Sequence, residues 1–312
     1  MPLSKRVMNE EFKGRDLTAL TLMGFRCQAG YFLFVCEHQN QAPLVSVTFP
    51  IHRFHQYATE AFTSLINQTY QNIEIMFLDN SRDGLASKFD LSDSRVKYFK
   101  LPADYGLSDT LNFALEHAHG KYLARMDYDD IALPNRIEKQ VAFMEKNPDI
   151  AISGTKVFVI GNSIDKNVSP GQEVGKELLH EILVRNLWSK NPFFHPTVIF
   201  RLSEIRKKNL KYRRSYDSSE DLDLWARASR IVRLANIEEP LLHYRLHPNQ
   251  YSRLDGDRSS LIANLIHFKH ALWLLTNRQV ETWLGIKVTL KLSARIFVML
   301  LSKKKKKFTK FT

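Results

Sequence analysis

From Leu44 onward, short apolar runs alternate with segments whose apolar residues recur at helical spacing, and one of those runs leads straight into three aspartates. Val45-Ser-Val-Thr-Phe49 predicts a strand ended by Pro50. Tyr57, Ala61, Phe62, Leu65 and Ile66 then fall on one helical face, and Ile73 to Leu78 predicts a second strand ending at Asp79. Strand, helix and strand in this order form a βαβ unit, which commits the two strands to parallel pairing. A third strand is expected at Val96 to Phe99, then a helix lined by Leu107, Leu111, Ala114, Leu115 and Ala118 and stopped by Gly120, then a fourth strand at Tyr122 to Met126. Pro134 at a first helical position, with Ile137, Val141 and Met144 on one face, predicts a helix closed by Asn147-Pro148 and followed by a strand at Ile150 to Gly154. Further on, helices are expected at Lys176 to Leu187 and Glu220 to Arg230, and strands at Thr197 to Phe200 and Pro240 to Tyr244. The fold class is therefore α/β, with a mixed, mostly parallel sheet flanked by helices.

Asp127, Asp129 and Asp130 put three carboxylates within four residues. At the C-terminal end of a strand, in the crevice where open α/β sheets bind ligands, such a cluster suits a hard divalent cation that also grips a diphosphate. The simpler alternative is a solvated turn in which Asp130 caps the next helix. Arg125 and Arg136 would offset this charge or approach phosphate, a solvated ion pair being the simpler reading of Arg136.

The chain of 312 residues is long enough for one catalytic-size domain with appendages. Its organisation reads as residues 1–43 of unassigned structure, a domain at 44–255 and a basic tail at 256–312. Cys27 and Cys36 have no partners at zinc spacing and make no disulfide framework, which fits a reducing cytosol. The run Leu17 to Cys36 is broken by Arg26 and Gln28, and acids precede it, so neither a cleavable signal nor a membrane-spanning helix is expected. Of the net charge of +12, residues 258–312 carry +11, twelve Lys/Arg against Glu281 alone. A near-neutral remainder argues against a nucleic-acid-binding core, and no nucleic acid is expected as a partner. Lys287, Lys291 and Arg295 form a cationic stripe among apolar residues of 286–301, ahead of Lys303 to Lys307. That pattern suits an anionic membrane surface and predicts a cytoplasmic protein peripheral on the inner face of the membrane; a helix packed on the domain with a free lysine end is the alternative.

Four blocks in order resemble the family 2 inverting glycosyltransferases of GT-A (Rossmann-like) fold. They are Val45-Ser-Val-Thr-Phe-Pro50; Asn67 to Ile75 with Asp79-Asn-Ser81; Gly120 to Asp130 with Pro134 and Arg136; and Ser219-Glu-Asp-Leu-Asp-Leu-Trp225. A fifth, Tyr244 to Ser252, resembles the segment that closes the domain. The likeness implies a nucleotide-sugar donor held by Pro50, His52, Asp79 and Asp127, with Asp79 on the uracil of a UDP-sugar. It implies Mn²⁺ or Mg²⁺ at Asp127 and Asp129, Asp129 being the direct ligand, with His247 a third group at the metal or diphosphate. It places acceptor-side carboxylates at Glu220 and Asp221, with Asp221 as general base; paired acids at a helix start are the structural alternative. The acceptor would be a glycan or lipid-linked sugar in bacterial surface polysaccharide assembly. Trp225 reads as core or pocket wall and His195 as a hydrogen-bonded structural residue.

Departures from the family pattern are informative. His52-Arg53 stands where a Tyr-Asn-like pair is usual, and the loop after the second strand is short, so base recognition is expected to differ. No Gln-x-x-Arg-Trp signature follows, which favours transfer of a single sugar over chain synthesis. Two rival functions remain. A sugar nucleotidyltransferase would want a glycine-rich phosphate loop, and Pro50-Ile-His-Arg-Phe-His55 has no glycine. A non-enzymatic membrane- or nucleic-acid-binding module would depend on the tail alone.

Overall fold

The computed structural model describes residues 25–28, 31–34, 42–82, 84–161, 169–248, 250, 256–277, 290 and 293. The chain divides into two units, Met1–Ala42 and Pro43–Thr312. In the first, β1 (Phe25–Gln28) and β2 (Tyr31–Phe34) pair antiparallel with Gln28 opposite Tyr31.

The second unit contains β3 (Val45–Ile51), β4 (Ile73–Asp79), β5 (Val96–Lys100), β6 (Tyr122–Arg125), β7 (Ile131–Ala132), β8 (Ile150–Gly161), β9 (Glu173–Val174), β10 (Ile199–Arg201) and β11 (Arg233–Leu246). One sheet runs β5-β4-β3-β6-β10-β8-β11-β7, with β9 added to β8. The β5-β4-β3-β6 half is parallel, as the βαβ pattern requires, whereas β10 is antiparallel to both β6 and β8. Helices α1 (Ala58–Ile66), α2 (Leu107–His117), α3 (Arg136–Lys146), α4 (His180–Asn186), α5 (Leu202–Lys207), α6 (Glu220–Ala228) and α7 (Gly256–Thr276) lie in the same unit.

Both faces of the parallel half are covered. Along β4, Ile73, Ile75 and Phe77 join one apolar cluster with Phe49, Phe62 and Leu65, while Met76 and Leu78 join another with Leu111, Leu115 and Trp225. Period-two alternation therefore feeds two cores, and burying each large side chain contributes about 1.5–3 kcal/mol. Trp225 lies wholly in the second core, against Phe193 and Phe200.

Several boundaries differ from the sequence expectation for physical reasons. β3 continues through Pro50 to Ile51. Thr48 turns its carbonyl toward β6, where Met126 N–H reaches it, and Ile51 turns its own toward Asn80 on the β4 side. Pro50, two residues after Thr48, thus faces the β6 side just where that pairing has ended, and its missing N–H breaks no ladder bond. Pro134 sits in the turn before α3, which starts only at Arg136 behind Asn135. The helix expected from Lys176 begins at His180. β8 and β11 are far longer than the apolar runs suggested, 12 and 14 residues paired in parallel with register shifts around Pro240. α7 docks on α4, where His270 Nε2 lies 2.9 Å from the Val184 carbonyl. The expected amphipathic segment at 286–301 and the lysine run lie outside the described residues. Among the described residues no helix is long and apolar enough to cross a membrane.

Candidate functional site

The parallel half of the sheet delivers its carboxyl ends to one edge of the unit: Asp79 ends β4, and Asp127 to Asp130 follow β6. The aspartate loop is then caught from the far side. β7 pairs with β11, and beyond that pairing Arg245 donates its backbone N–H to Asp130 Oδ1 (2.8 Å) and its Nε–H to the Asp129 carbonyl (2.8 Å). Arg245 is itself held over the Tyr57 ring, 4.1 Å from its centroid, and bonds Glu60 at 2.5 Å. His247 Nε2 lies 2.9 Å from Asp129 Oδ2, with the carboxylate accepting.

Ligand atoms of Asp127, Asp129 and Asp130 all lie within 4.8 Å of one another. Burial, then the Asp127 charge, raises the Asp129 carboxyl above its usual range; burial, then the charges of Asp129 and Asp127, holds Asp130 well above it. Asp130 Oδ2 is buried with no hydrogen-bond partner. Crowded carboxylates, an orphaned oxygen and an adjacent imidazole form a hard, oxygen-dominated donor set that fits Mg²⁺ or Mn²⁺. The alternative in which Asp130 caps a helix is excluded, because its Oδ1 serves Arg245 and α3 begins six residues later.

Arg136 is not a solvated cation. It has no exposed surface, and it donates to the Arg125 carbonyl (2.6 Å) and to Gln140 Oε1 (3.0 Å), bracing the end of β6. Burial lowers its pKa to about 10. Arg125, 2% exposed, pairs with Asp127 at 2.7 Å and also feels the charge of Glu220. It is the buried cation between the aspartate loop and the acids that open α6.

Those acids differ. Asp221 is half-buried; its Oδ2 accepts from Asn191 Nδ2 (2.7 Å) and its Oδ1 from the Leu222 N–H (2.6 Å), while burial raises its pKa. Glu220 is buried, and its Oε2 has no partner. His195 is structural as expected, with Nε2 2.9 Å from the Tyr212 hydroxyl.

Asp79 is fully buried and fully engaged. Oδ1 accepts from the N–H and hydroxyl of Ser81, and Oδ2 from the Leu85 N–H and the Tyr98 hydroxyl. Burial would raise its pKa, but these bonds bring it below the usual value. The loop returns to Leu85 through Gly84 at φ +77°, a conformation that suits glycine. Asp79 therefore shapes the short loop, and a nucleobase would have to displace one of these donors to reach it. Of the four residues assigned to the donor, Pro50 is buried within β3 and His52 is exposed, its ring 5.8 Å edge-on from Tyr128 in the aspartate loop. Arg245, Asn191 and Tyr98 carried no local signal in the sequence that marked them as site residues.

Burial, and after it the charge of Asp221, pushes the Glu220 carboxyl up to about 8 from 4.5. A raised acid keeps in the fold a proton that the unfolded chain has lost, so its stabilisation is whole below about pH 4.5 and is lost as pH rises to 8. Glu220→Gln imitates the protonated acid. Relative to wild type it should gain on the order of 2–4 kcal/mol at pH 8 compared with pH 4, any constant packing cost cancelling between the two. Urea titrations at both pH values measure this, and a pH-independent difference would show that Glu220 does not hold a proton.

Residues 46–209 match the family model described as Glycosyl transferase family 2. An uncharacterized glycosyltransferase of Haemophilus influenzae is 32% identical over 250 residues, covering 78% of this chain and 77% of that protein. The O-antigen biosynthesis glycosyltransferase WbnJ of Escherichia coli is 34% identical over 218 residues, covering 65% and 80%. Among solved structures, S. aureus TarS 1-349 in complex with UDP-GlcNAc aligns with a TM-score of 0.58 at 18% identity, over 81% of this chain and 72% of that one. The mannosyltransferase PcManGT of Pyrobaculum calidifontis, in complex with GDP-Man and Mn²⁺, aligns at 0.56 and 16% identity, over 82% and 70%. These two likenesses speak for the fold. The family match spans just over half the chain, and the bacterial relatives extend over most of their own lengths, so the chain belongs to glycosyltransferase family 2 and is a glycosyltransferase.

Proposed function

We propose that the protein is a metal-dependent, inverting transferase that moves one sugar from a nucleotide diphosphate donor, a UDP-sugar, to a glycan or lipid-linked acceptor in bacterial surface polysaccharide assembly. The observation that carries this reading is the pairing of two acid sets around one buried cation. Asp127 touches Arg125, and Glu220 and Asp221 lie within its electrostatic reach. One set suits the diphosphate end of a donor and the other an acceptor hydroxyl.

In this reading Asp221 takes the proton of the acceptor hydroxyl as that oxygen attacks the anomeric carbon. The new C–O bond forms on the face opposite the diphosphate, the old C–O bond breaks, and the nucleoside diphosphate leaves with inversion. Asn191 fixes the carboxylate for this task. Asp129, Asp127 and Asp130 would hold Mn²⁺ or Mg²⁺, with His247 behind Asp129, and when bound the ion supplies positive charge to the diphosphate. His52 and Tyr128 flank the donor mouth. The kinship with an O-antigen glycosyltransferase supports the polysaccharide setting. UDP in TarS supports the donor base, and the GDP-Man complex of PcManGT makes a GDP-sugar the specific second reading. On its composition, the basic tail is proposed to rest on an anionic membrane surface, which co-sedimentation with anionic vesicles at low and high salt measures.

Thermal unfolding of the full chain with UDP, GDP, CDP or TDP, each with Mn²⁺ and again after chelation, tests the reading. UDP with Mn²⁺ at about 100 times its Kd should stabilise by about 2.7 kcal/mol, a rise of about 4 °C, and chelation should remove it. A shift with GDP alone would move the donor assignment. No metal-dependent shift with any nucleotide would sink the proposal.

A further inference from the structure

A cavity of about 470 Å³ opens beside α4, lined by Lys176, Glu177, Asn186, Lys190 and Asn191 among others. Its volume lies within the roughly 300–1,000 Å³ usual for small-ligand sites. One wall is already part of the candidate site, since Asn191 holds the Asp221 carboxylate at 2.7 Å. The cavity thus adjoins the proposed base through Asn191.

Its charges are unevenly matched. Glu177 accepts from Asn186 Nδ2 at 3.3 Å and lies 3.9 Å from Lys190 Nζ. Lys176 has no such partner. Half-buried, it rests its ammonium 4.5 Å from the centroid of the Phe194 ring and, among the described residues, makes no hydrogen bond and no ion pair. An ammonium removed from water without an anion is costly, and here burial, followed by the neighbouring charge of Lys190, lowers its pKa. Asp221 is the acid whose charge it feels, but Asp221 is bonded to Asn191 and the Leu222 amide instead.

We infer that this cavity is an acceptor subsite that selects an anionic acceptor, its phosphate or carboxylate group neutralised by Lys176 with Lys190 at the rim. The inference rests on the reading of Asp221 as the base facing the acceptor. An anion on Lys176 would anchor one end of the acceptor while a hydroxyl lies against Asp221. It would also bring negative charge near Asp221 and favour its taking up a proton. The anion has two possible sources, a charged sugar ring or the diphosphate of a lipid carrier.

Calorimetry on the full chain, with the donor site filled by UDP and Mn²⁺, separates these. The probes are methyl β-glucuronide, farnesyl diphosphate in detergent and, as the neutral control, methyl β-glucoside. Wild type should bind one anionic probe at least about tenfold more tightly than the glucoside, and the probe preferred identifies the source. Lys176→Met should erase that preference, Lys176→Arg should restore most of it, and UDP affinity should be unchanged in both. If UDP with Mn²⁺ fails to bind wild type, the donor reading has failed. If UDP binds normally while anionic and neutral probes bind alike, or while Lys176→Met keeps the preference, the anionic subsite is refuted.

Discussion

Asp221→Asn should lower kcat by about two to four orders of magnitude while leaving donor binding intact. This is the usual worth of a positioned general base, about 2.7–5.5 kcal/mol of barrier. The substitution keeps size but removes the ability to accept a proton at neutral pH. Its surroundings predict the finer effects. Asp221 accepts from both Asn191 and the Leu222 amide, and an asparagine can accept with only one of its two terminal atoms. Asn191 cannot turn its amide freely, because its Oδ1 accepts the Phe193 N–H at 3.2 Å, so one bond worth about 1 kcal/mol is lost, against the relief of removing a charge that burial disfavours. Glu220, relieved of the Asp221 charge that helps to raise its pKa, becomes easier to ionise and is the natural source of residual turnover. In wild type the acid limb of kcat should lie above the ordinary aspartate range, since burial raises Asp221. The measurement is turnover at saturating donor across pH, beside a UDP titration. Retention of more than about a tenth of wild-type kcat would remove Asp221 from the base role.

What the sequence made legible follows the range over which each signal acts. Alternating apolar residues on β4 and helical spacing on α1 are local, and both elements lie where the periodicity put them. The aspartate cluster is local too, three carboxylates within four residues, and its ligand atoms come within 4.8 Å of one another. The partners that give those acids their properties are remote. Arg245 lies 116 residues from Asp129, and Asn191 lies 30 from Asp221; neither shows a periodicity, and only the pairing of β7 with β11 and the docking of the 190s loop on α6 bring them in. Arg136 departs from the sequence expectation because a charged residue near a helix start ordinarily faces water. Here the Arg125 carbonyl at the end of β6, the Met126 sulfur and the amide oxygen of Gln140 make burial tolerable. β11 is longer than its apolar run predicts because Glu238, Glu239 and Pro240 interrupt the pattern, and the register shifts there let polar residues lie exposed without ending the strand. Asp79 shows the converse. The resemblance implies a contact with the base, while in the structure its carboxylate oxygens accept from Ser81 and Leu85 of its own loop and from Tyr98 on β5.

Asp129→Ala should abolish the metal-dependent part of donor binding, weakening UDP in the presence of Mn²⁺ by at least about 100-fold. Loss of a group that merely supports a ligand costs about 10–100-fold, and Asp129 is placed as a ligand itself. Without the cation a diphosphate facing this loop meets net repulsion. The alanine variant has a second effect that must be separated. It strands His247, which is 5% exposed and has its Nε2 on Asp129, at a cost of about 1–3 kcal/mol. Asp129→Asn resolves the two. An amide oxygen can still accept from His247, so the fold is kept, while the negative charge that attracts the ion is gone. Removing that charge also relieves Asp130, whose pKa Asp129 helps to raise, so the metal-free asparagine variant should be at least as stable as wild type and more so at alkaline pH. Calorimetry with UDP, with and without Mn²⁺, and thermal unfolding without metal read both effects. If both variants keep the manganese-dependent gain in UDP affinity, Asp129 is not a ligand, and the paired Asp127 and buried Asp130 must carry the ion without it.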